Sequence, residues 1–480
     1  MRTVPAATGP GHSIAALTRR VNCPVLVPGA AGYDQERTGF QTAHQHRPPV
    51  IVAARAAADV SAAVGFAADG GLPVAIQGAG HGLVRACTEG VLISTRQMTG
   101  VRVAPGRRTA RLEAGTRWDQ VIRQAAQYGL APLNGSAPQL GAVPYILGGG
   151  LGPLAREFGY ACDRVRGIEI VTADSHLRHV SATKDRDLFW ALRGGRGNFG
   201  VVTAMEIDLV PVARLYGGAL YFDAELIPAA LHAWRQWTGT VPPELTSSVA
   251  LVSLPDAASV PGPLRGRPVA HVRIAFTGSA AVGADLVAPM RAVGPRLVDT
   301  VGEMPYEAVG SIHNDPVQPM AYRTVGAMLS DLDEPAVRAL LELAAEDTAD
   351  PLIVELRHLG GALAAPPAVA SAVAHRDAGY LLILLSPLRP DGAGAATAVS
   401  RHELLLEKLG PAVTGRCLNF MHGEYPAEQV KAAYSIAGYR RLRQVKANWD
   451  PQNIFCLDHN IPPVMGNSPV GHLTVTGNPE

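Results

Sequence analysis

Cysteine is scarce in this chain. Five residues in 480, Cys23, Cys87, Cys162, Cys417 and Cys456, form an odd set with no C-x-x-C spacing. That argues against a disulfide scaffold and a zinc site, and it fits a reducing cytoplasm. An excess of charge of either sign is missing too: 42 Lys and Arg stand against 41 Asp and Glu, a formal net charge of +1. So balanced a chain has nothing with which to hold a polyanion, and no nucleic acid partner is expected. Nor is there a long hydrophobic run. The best candidate, residues 378–388, contains Ser386 and Pro387 and falls short of the ~18 apolar residues of a membrane span. Arg2 is followed by Pro5, Gly9, Pro10 and Gly11 rather than by the apolar stretch of a secretion signal, so a soluble, unexported protein is expected.

What the chain does have is length and apolar content: 480 residues, 47% hydrophobic, with a mean hydropathy of +0.11. Single cores stop growing at ~250–300 residues, so two or more domains are expected. Residues 50–54 read as a strand, and 56–69 as a helix with Val60, Ala63, Val64 and Ala67 on one face. A second strand, P-V-A-I, follows Gly70-Gly71, which stop the helix. Short strands at 90–94 and 109–113 precede a helix over 118–128, which Thr116 is placed to cap and Gly129 to close. I-E-I-V-T-A at 168–173 and V-V-T-A-M-E-I-D-L-V at 201–210 alternate as strands. Beyond Pro211, proline-bearing loops (Pro242-Pro243, Pro255, Pro261, Pro263, Pro268) separate strand-like runs such as V-A-H-V-R-I-A-F and L-I-V-E-L-R-H-L. Residues 209–414 therefore read as a separate α+β domain. A helix over 439–449, ended by Asp450-Pro451, and the extended I-F-C-L-D-H-N-I-P-P complete the first domain. The Ala-Gly-rich stretch 391–397 reads as a loop.

Three glycine clusters stand out: G-A-G-H-G at 78–82, L-G-G-G-L-G at 147–152 and G-G-R-G-N-F-G at 194–200. Glycines let backbone N–H groups close on a phosphate, the usual way of holding a dinucleotide. The string 195–200 fits G-x-G-x-x-G, but Val201-Val202-Thr203 starts a strand where a Rossmann fingerprint needs a helix. The string 150–155 fits G-x-G-x-x-A, but Pro153 interrupts it. No G-x-x-x-x-G-K-[ST], G-x-S-x-G or H-E-x-x-H occurs. His44 and His46, beside Arg47-Pro48-Pro49, read as a solvated loop pair rather than a metal site. Glycine loops of this kind without a P-loop favour a bound redox dinucleotide over nucleotide hydrolysis.

In this order, the clusters carry a resemblance. With P-V-A-I-Q-G-A-G-H-G at 73–82, D-L-F-W-A-L-R-G-G-R-G-N-F-G-V-V-T at 187–203, and Y-R-R-L-R-Q-V-K-A-N-W-D-P-Q-N-I-F at 439–455 followed by D-H-N-I-P-P, the chain from Gln41 to Pro463 resembles the berberine bridge enzyme-like FAD-linked oxidases of the vanillyl-alcohol oxidase superfamily. The resemblance implies an α+β fold. An FAD-binding domain of two subdomains (1–208, completed by the returning segment 415–480) would bury FAD, and a substrate domain with an antiparallel sheet (209–414) would roof it. It implies FAD contacts from Gln77, Gly78, Ala79, Gly80, His81, Gly82, Ser136, Gly141, Gly148, Gly149, Gly152, Tyr160, Val202 and Asn460. His81 stands where relatives bond the flavin 8α-methyl carbon. Many relatives add a second bond through the cysteine of a G-x-C-P string. Here that string is Gly135-Ser136-Ala137-Pro138, and alanine has no nucleophile, so a single histidyl link is expected. Gln77, Ala79 and Pro153 stand where relatives often carry arginine, glycine and tryptophan.

The base is where the resemblance stops helping. The positions resembling the glutamate and tyrosine of plant relatives are Leu382 and Phe420, and neither takes a proton. Glu355, on a strand that places it and Arg357 on one face with His358 opposite, is the replacement candidate. Its apolar neighbours Ile353, Val354 and Leu356 would raise its pKa, unless it is simply the ion-pair partner of Arg357. His422 is a second candidate. The function implied is an FAD-dependent oxidase acting on a small hydroxylated or cyclic metabolite, with O2 as acceptor. A flavin-dependent oxygenase or cyclase, or a flavin-holding protein without redox chemistry, is the alternative. The assembly is expected to be a monomer or homodimer, without metal.

Overall fold

The computed structural model describes residues 13–345, 351–389 and 393–464. Residues 1–12, which carry the N-terminal pattern discussed above, and residues 391 and 392 of the Ala-Gly-rich stretch lie outside them. Among the described residues no helix is long and apolar enough to cross a membrane.

Among the described residues, three sheets organise the chain. In the first, Val50–Ala53 and Val74–Gln77 run parallel to Val91–Ser94, which lies between them, while Val25–Leu26 adds an antiparallel edge. A right-handed crossover is the usual way to join such parallel strands, and helix Ala57–Asp69 supplies the connection, burying Val60, Ala63, Val64 and Ala67. Gly71, at φ +60, takes the left-handed turn after the helix. The second sheet is five-stranded and antiparallel, in the order Val101–Ala104, Thr109–Glu113, Val201–Asp208, Val165–Val171, Leu177–Ser181. Helix Trp118–Ala126 buries Trp118, Val121, Ile122 and Ala125. Thr116 does not cap it: its hydroxyl donates to Gly100 O, and the Gln120 side chain accepts the N–H of Arg117 at 2.9 Å instead.

The third sheet has nine antiparallel strands, the first starting at Arg214 and the last ending at Arg416. The apolar run once weighed as a membrane span is its strand Tyr380–Pro387, paired on both sides. Side chains alternate faces along a strand, and here the two faces have different partners. Leu382 and Leu384 join the core formed with helices Ile227–Thr238, Ala280–Arg291, Glu334–Ala344 and Ala395–Leu409, whereas Leu381 and Ile383 join the core shared with the five-stranded sheet. Leu382 therefore points away from the first two sheets. The last of these helices starts at Ala395, so 395–397 are helical rather than loop.

After Arg416 the chain packs back on the first two sheets. Helix Ile436–Trp449 is capped by the Ser435 hydroxyl, which accepts the Gly438 N–H. At its end the fully buried Lys446 ammonium donates to Asp450 (2.7 Å), Asn198 O and Phe455 O. Ile454 O accepts the Val74 N–H at 2.8 Å, and Ile454 and Phe455 enter the core of the first sheet.

Candidate active site

A cavity of about 260 Å³ lies where these parts meet. Its floor is the loop after strand Val74–Gln77. Gly80 sits at φ +72 and faces Gly39 so closely that a Cβ on it would lie 2.5 Å from the Gly39 Cα; no other residue fits there. Phe40 and Gln41 N–H groups bond the Ala79 and Gly80 carbonyls, and Gln77 Nε2 donates to Glu36 O. The loop is thus fixed before any ligand arrives.

Gln77, Gly78, Ala79, Gly80, His81, Gly82, Ser136, Gly141 and Val202 all lie on the cavity wall. Gly148, Gly149, Gly152, Tyr160 and Asn460 do not, and packing explains why glycine is found at two of them. A Cβ on Gly148 would fall 1.7 Å from Asn419 Oδ1, and one on Gly152 would fall 1.8 Å from Asn134 O. Tyr160 is buried beneath the Arg376 guanidinium, 4.9 Å from its ring centre. Asn460 has a buried Oδ1 without a partner among the described residues but stays off the wall. In the third cluster, the strand after Phe199 confirms that no Rossmann turn forms. Instead Arg196, in the left-handed region at φ +57, bonds Asp458 at 3.0 Å, Leu418 O and Gly82 O. It fastens the third cluster to the first and to the returning segment.

His81 stacks on Phe40 at 4.0 Å between ring centres, and neither of its buried ring nitrogens has a partner among the described residues. Burial, reinforced by the charge of Arg117, pushes its pKa down to about 3, so the imidazole is neutral and its lone pair available. Tyr322 donates its hydroxyl to the His81 carbonyl at 2.7 Å. His46 is not solvated as expected: it is buried, accepts the Cys87 N–H at Nδ1 (2.9 Å) and lines the cavity.

Opposite stand residues of the nine-stranded sheet and the returning segment. His422 lines the cavity, with Nδ1 3.0 Å from the Thr324 hydroxyl. Its pKa is also pushed down to about 3 by burial, then by Arg196, His459 and His81. Of the two readings of Glu355, the structure supports the ion pair with Arg357 and corrects the raised pKa. It does share a face with Arg357, but its Oε1 meets Arg357 Nε and Arg273 Nη1, both at 2.9 Å. Burial alone would raise its pKa; the two guanidiniums outweigh burial and hold the carboxyl at about 2. It is an ionised, doubly paired group and it is not on the cavity wall. Arg357 is on that wall, its guanidinium 4.7 Å from the Phe420 ring centre. The sequence reading missed Tyr145, Tyr322, Arg196 and Asp458. Arg196 and Asp458 sit inside quoted strings, but no spacing rule pairs residues so far apart, and the two tyrosines stand in no motif.

Comparison with known proteins places this geometry. The family described as FAD binding domain matches residues 48–181, and that described as berberine and berberine like matches 418–462. The chain is 32% identical over 192 residues to (R)-6-hydroxynicotine oxidase of Paenarthrobacter nicotinovorans, covering 40% of this chain and 42% of that protein. It is 35% identical over 175 residues to an FAD-dependent monooxygenase of Fusarium proliferatum, covering 36% and 34%. The matches to these relatives thus span less than half of each. In structure, 6-hydroxy-D-nicotine oxidase from Arthrobacter nicotinovorans superposes with a TM-score of 0.79 at 24% identity, covering 92% of this chain and 98% of that one. That likeness shows the α+β fold.

The residues present fit an FAD. The loop of 77–82 lines the cavity with closely approachable backbone, and the neutral His81, with both nitrogens unpartnered, is a side chain able to bond an electrophilic carbon.

Proposed function

We propose that this chain, whose residues 48–181 and 418–462 match the FAD binding domain and the berberine-like families, is an FAD-dependent oxidase of a small hydroxylated or cyclic substrate, with its flavin tethered once, through His81. The observation that carries this reading is the neutral, unpartnered imidazole of His81 on the wall of the cavity. When bound, FAD supplies the two-electron acceptor that takes a hydride from substrate and passes the electrons to O2 as hydrogen peroxide.

The chain's own residues do the rest. The 77–82 loop and Ser136, Gly141 and Val202 seat the cofactor, and Phe40 with Tyr322 fixes the orientation of His81. We assign the proton acceptor to His422: with Nδ1–H donated to the Thr324 hydroxyl its Nε2 carries the lone pair, and burial, which holds its pKa at about 3, makes it a weak base. Glu355 orients Arg357 without taking a proton. We divide the chain as 1–208 with 415–480 for the cofactor and 209–414 for the substrate, and place it in a reducing cytoplasm because all five thiols are free.

A second reading is favoured by the similarity to the monooxygenase: the substrate gives up two electrons and two protons, and of the O2 then consumed one oxygen atom enters the product while the other leaves as water. Anaerobic bleaching of the flavin by a panel of hydroxylated metabolites, followed by aeration, tests both. Stoichiometric peroxide supports the oxidase; product that has gained one oxygen and lost two hydrogens, without peroxide, supports the monooxygenase; no bleaching by any compound refutes both.

A further inference from the structure

The cavity wall on the nine-stranded sheet carries a charge that its neighbours do not balance. Two guanidiniums, Arg273 and Arg357, share the single carboxylate of Glu355. His313, 3.9 Å from the same oxygen, and His271, which accepts from Arg273 Nε at 3.3 Å, are both driven well below the ordinary histidine pKa, by burial first and then by the arginines, so neither adds a charge. The other acid whose field reaches Arg357 is Asp315. It is only half-buried and makes no ion pair among the described residues, so water screens it. The cluster is left with one positive charge to spare, and Arg357 is its member on the cavity wall.

Arg357 uses Nε on Glu355 and Nη1 on Leu151 O; its Nη2 has no hydrogen bond among the described residues. Tyr145, kept neutral by burial, lines the same cavity. Its hydroxyl is buried without a partner. The ring is held in place: Trp118 meets it edge-on at 5.5 Å, and a Cβ on Gly135, Gly150 or Gly152 would come within 3.0 Å of its atoms. Two glycines of the second cluster thus make a slot for this tyrosine. A buried donor left unpaired is costly, and a cationic donor and a neutral one lining one cavity, each with a donor atom that makes no hydrogen bond among the described residues, match an anionic oxygen pair.

We propose that the substrate of this site carries a carboxylate, received by the Arg357 guanidinium and the Tyr145 hydroxyl. This names the substrate class of the oxidase reading and rests on it. The substrate would then present its oxidisable carbon toward His422 while its anionic end is fixed at Arg357 and Tyr145.

The test is a titration of the purified holoprotein with benzoate and with its uncharged analogue benzamide, reading the difference spectrum of the bound flavin. Benzoate should give a saturable shift, with benzamide at least about tenfold weaker, the span of a charge-assisted hydrogen bond. Arg357→Gln should weaken benzoate by a similar factor and leave benzamide unchanged. Should that variant fail to fold, Tyr145→Phe carries the test: benzoate affinity should fall by about threefold to tenfold, as for a lost neutral donor. Equal binding of the two probes, or benzoate affinity unchanged in the variants, overturns the proposal. So does bromide reproducing the shift and displacing benzoate at equal concentration, which would make this a site for free inorganic anions. Protein purified without any flavin would instead sink the oxidase reading beneath it.

Discussion

Glu355→Gln separates an ion-pair role from a base role in one variant. The substitution keeps shape and removes one negative charge from between two guanidiniums, each 2.9 Å away and nearly inaccessible to water. Removing one partner of a buried ion cluster costs ~3–5 kcal/mol, because the charges left behind are desolvated and unpaired. For a domain of about 200 residues, the size of the proposed substrate domain, each kcal/mol shifts Tm by roughly 2–4 °C, so the transition that includes Glu355 should fall by about 6–20 °C. The pH dependence adds a second check. The carboxyl is held at about 2, below its ordinary 4.5, so its contribution is fully present above the unfolded value and is lost only as pH falls through about 2. The Tm gap between wild type and variant should therefore stay constant between roughly pH 5 and 8. The assay is scanning calorimetry beside anaerobic flavin reduction on the same preparation. A variant melting like wild type but reduced ~10²–10⁴-fold more slowly, the cost of losing a general base, would refute this reasoning and restore Glu355 to the chemistry.

Three other outcomes follow from the site. His422→Gln should slow flavin reduction by ~10²–10⁴-fold with Tm little changed; an unchanged rate in stopped-flow would remove His422 from proton transfer. His46, His358, His402 and His422 are held at about 4, 3, 3 and 3, below the ordinary 6.5. Their neutral forms favour the fold above about 6.5, and that stability drains as pH falls toward 3, so Tm measured from neutral to acid pH should decline steadily below that point; a flat profile down to pH 4 would contradict the burial of these rings. Ala137 is buried but off the cavity wall, while Gly135 and Ser136 are on it. Ala137→Cys should accordingly yield no second flavin link, and a flavopeptide containing residue 137 in its mass spectrum would show that the loop approaches the cofactor after all.

Much of the fold could be read from the chain because its signals are local. The periodicity of Val60, Ala63, Val64 and Ala67 gives the first crossover helix, and the strand-forming Val201-Val202-Thr203 rules out a Rossmann turn; both hold in the structure. What the sequence hid is set by contacts between distant segments. Glu355 with apolar sequence neighbours suggested a raised pKa, but Arg273, from another strand, decides the sign. Leu382 resembled a catalytic position by sequence, yet strand alternation turns it toward the helices. Gly148 and Gly152 matched a phosphate-loop composition, whereas Asn419, far away in sequence, and the Asn134 carbonyl, in the preceding loop, are what require glycine there. His46 looked solvated beside two prolines until the Cys87 N–H claimed its Nδ1.

The central claim, that His81 is the covalent anchor of an FAD in this cavity, is tested most directly by acid precipitation of the purified protein followed by proteolysis and mass spectrometry of the yellow fraction. The account predicts that the flavin stays with the polypeptide and that one flavopeptide appears, containing His81 and no cysteine link. Free FAD in the supernatant, or a flavopeptide containing Cys87 or Cys162, would contradict it.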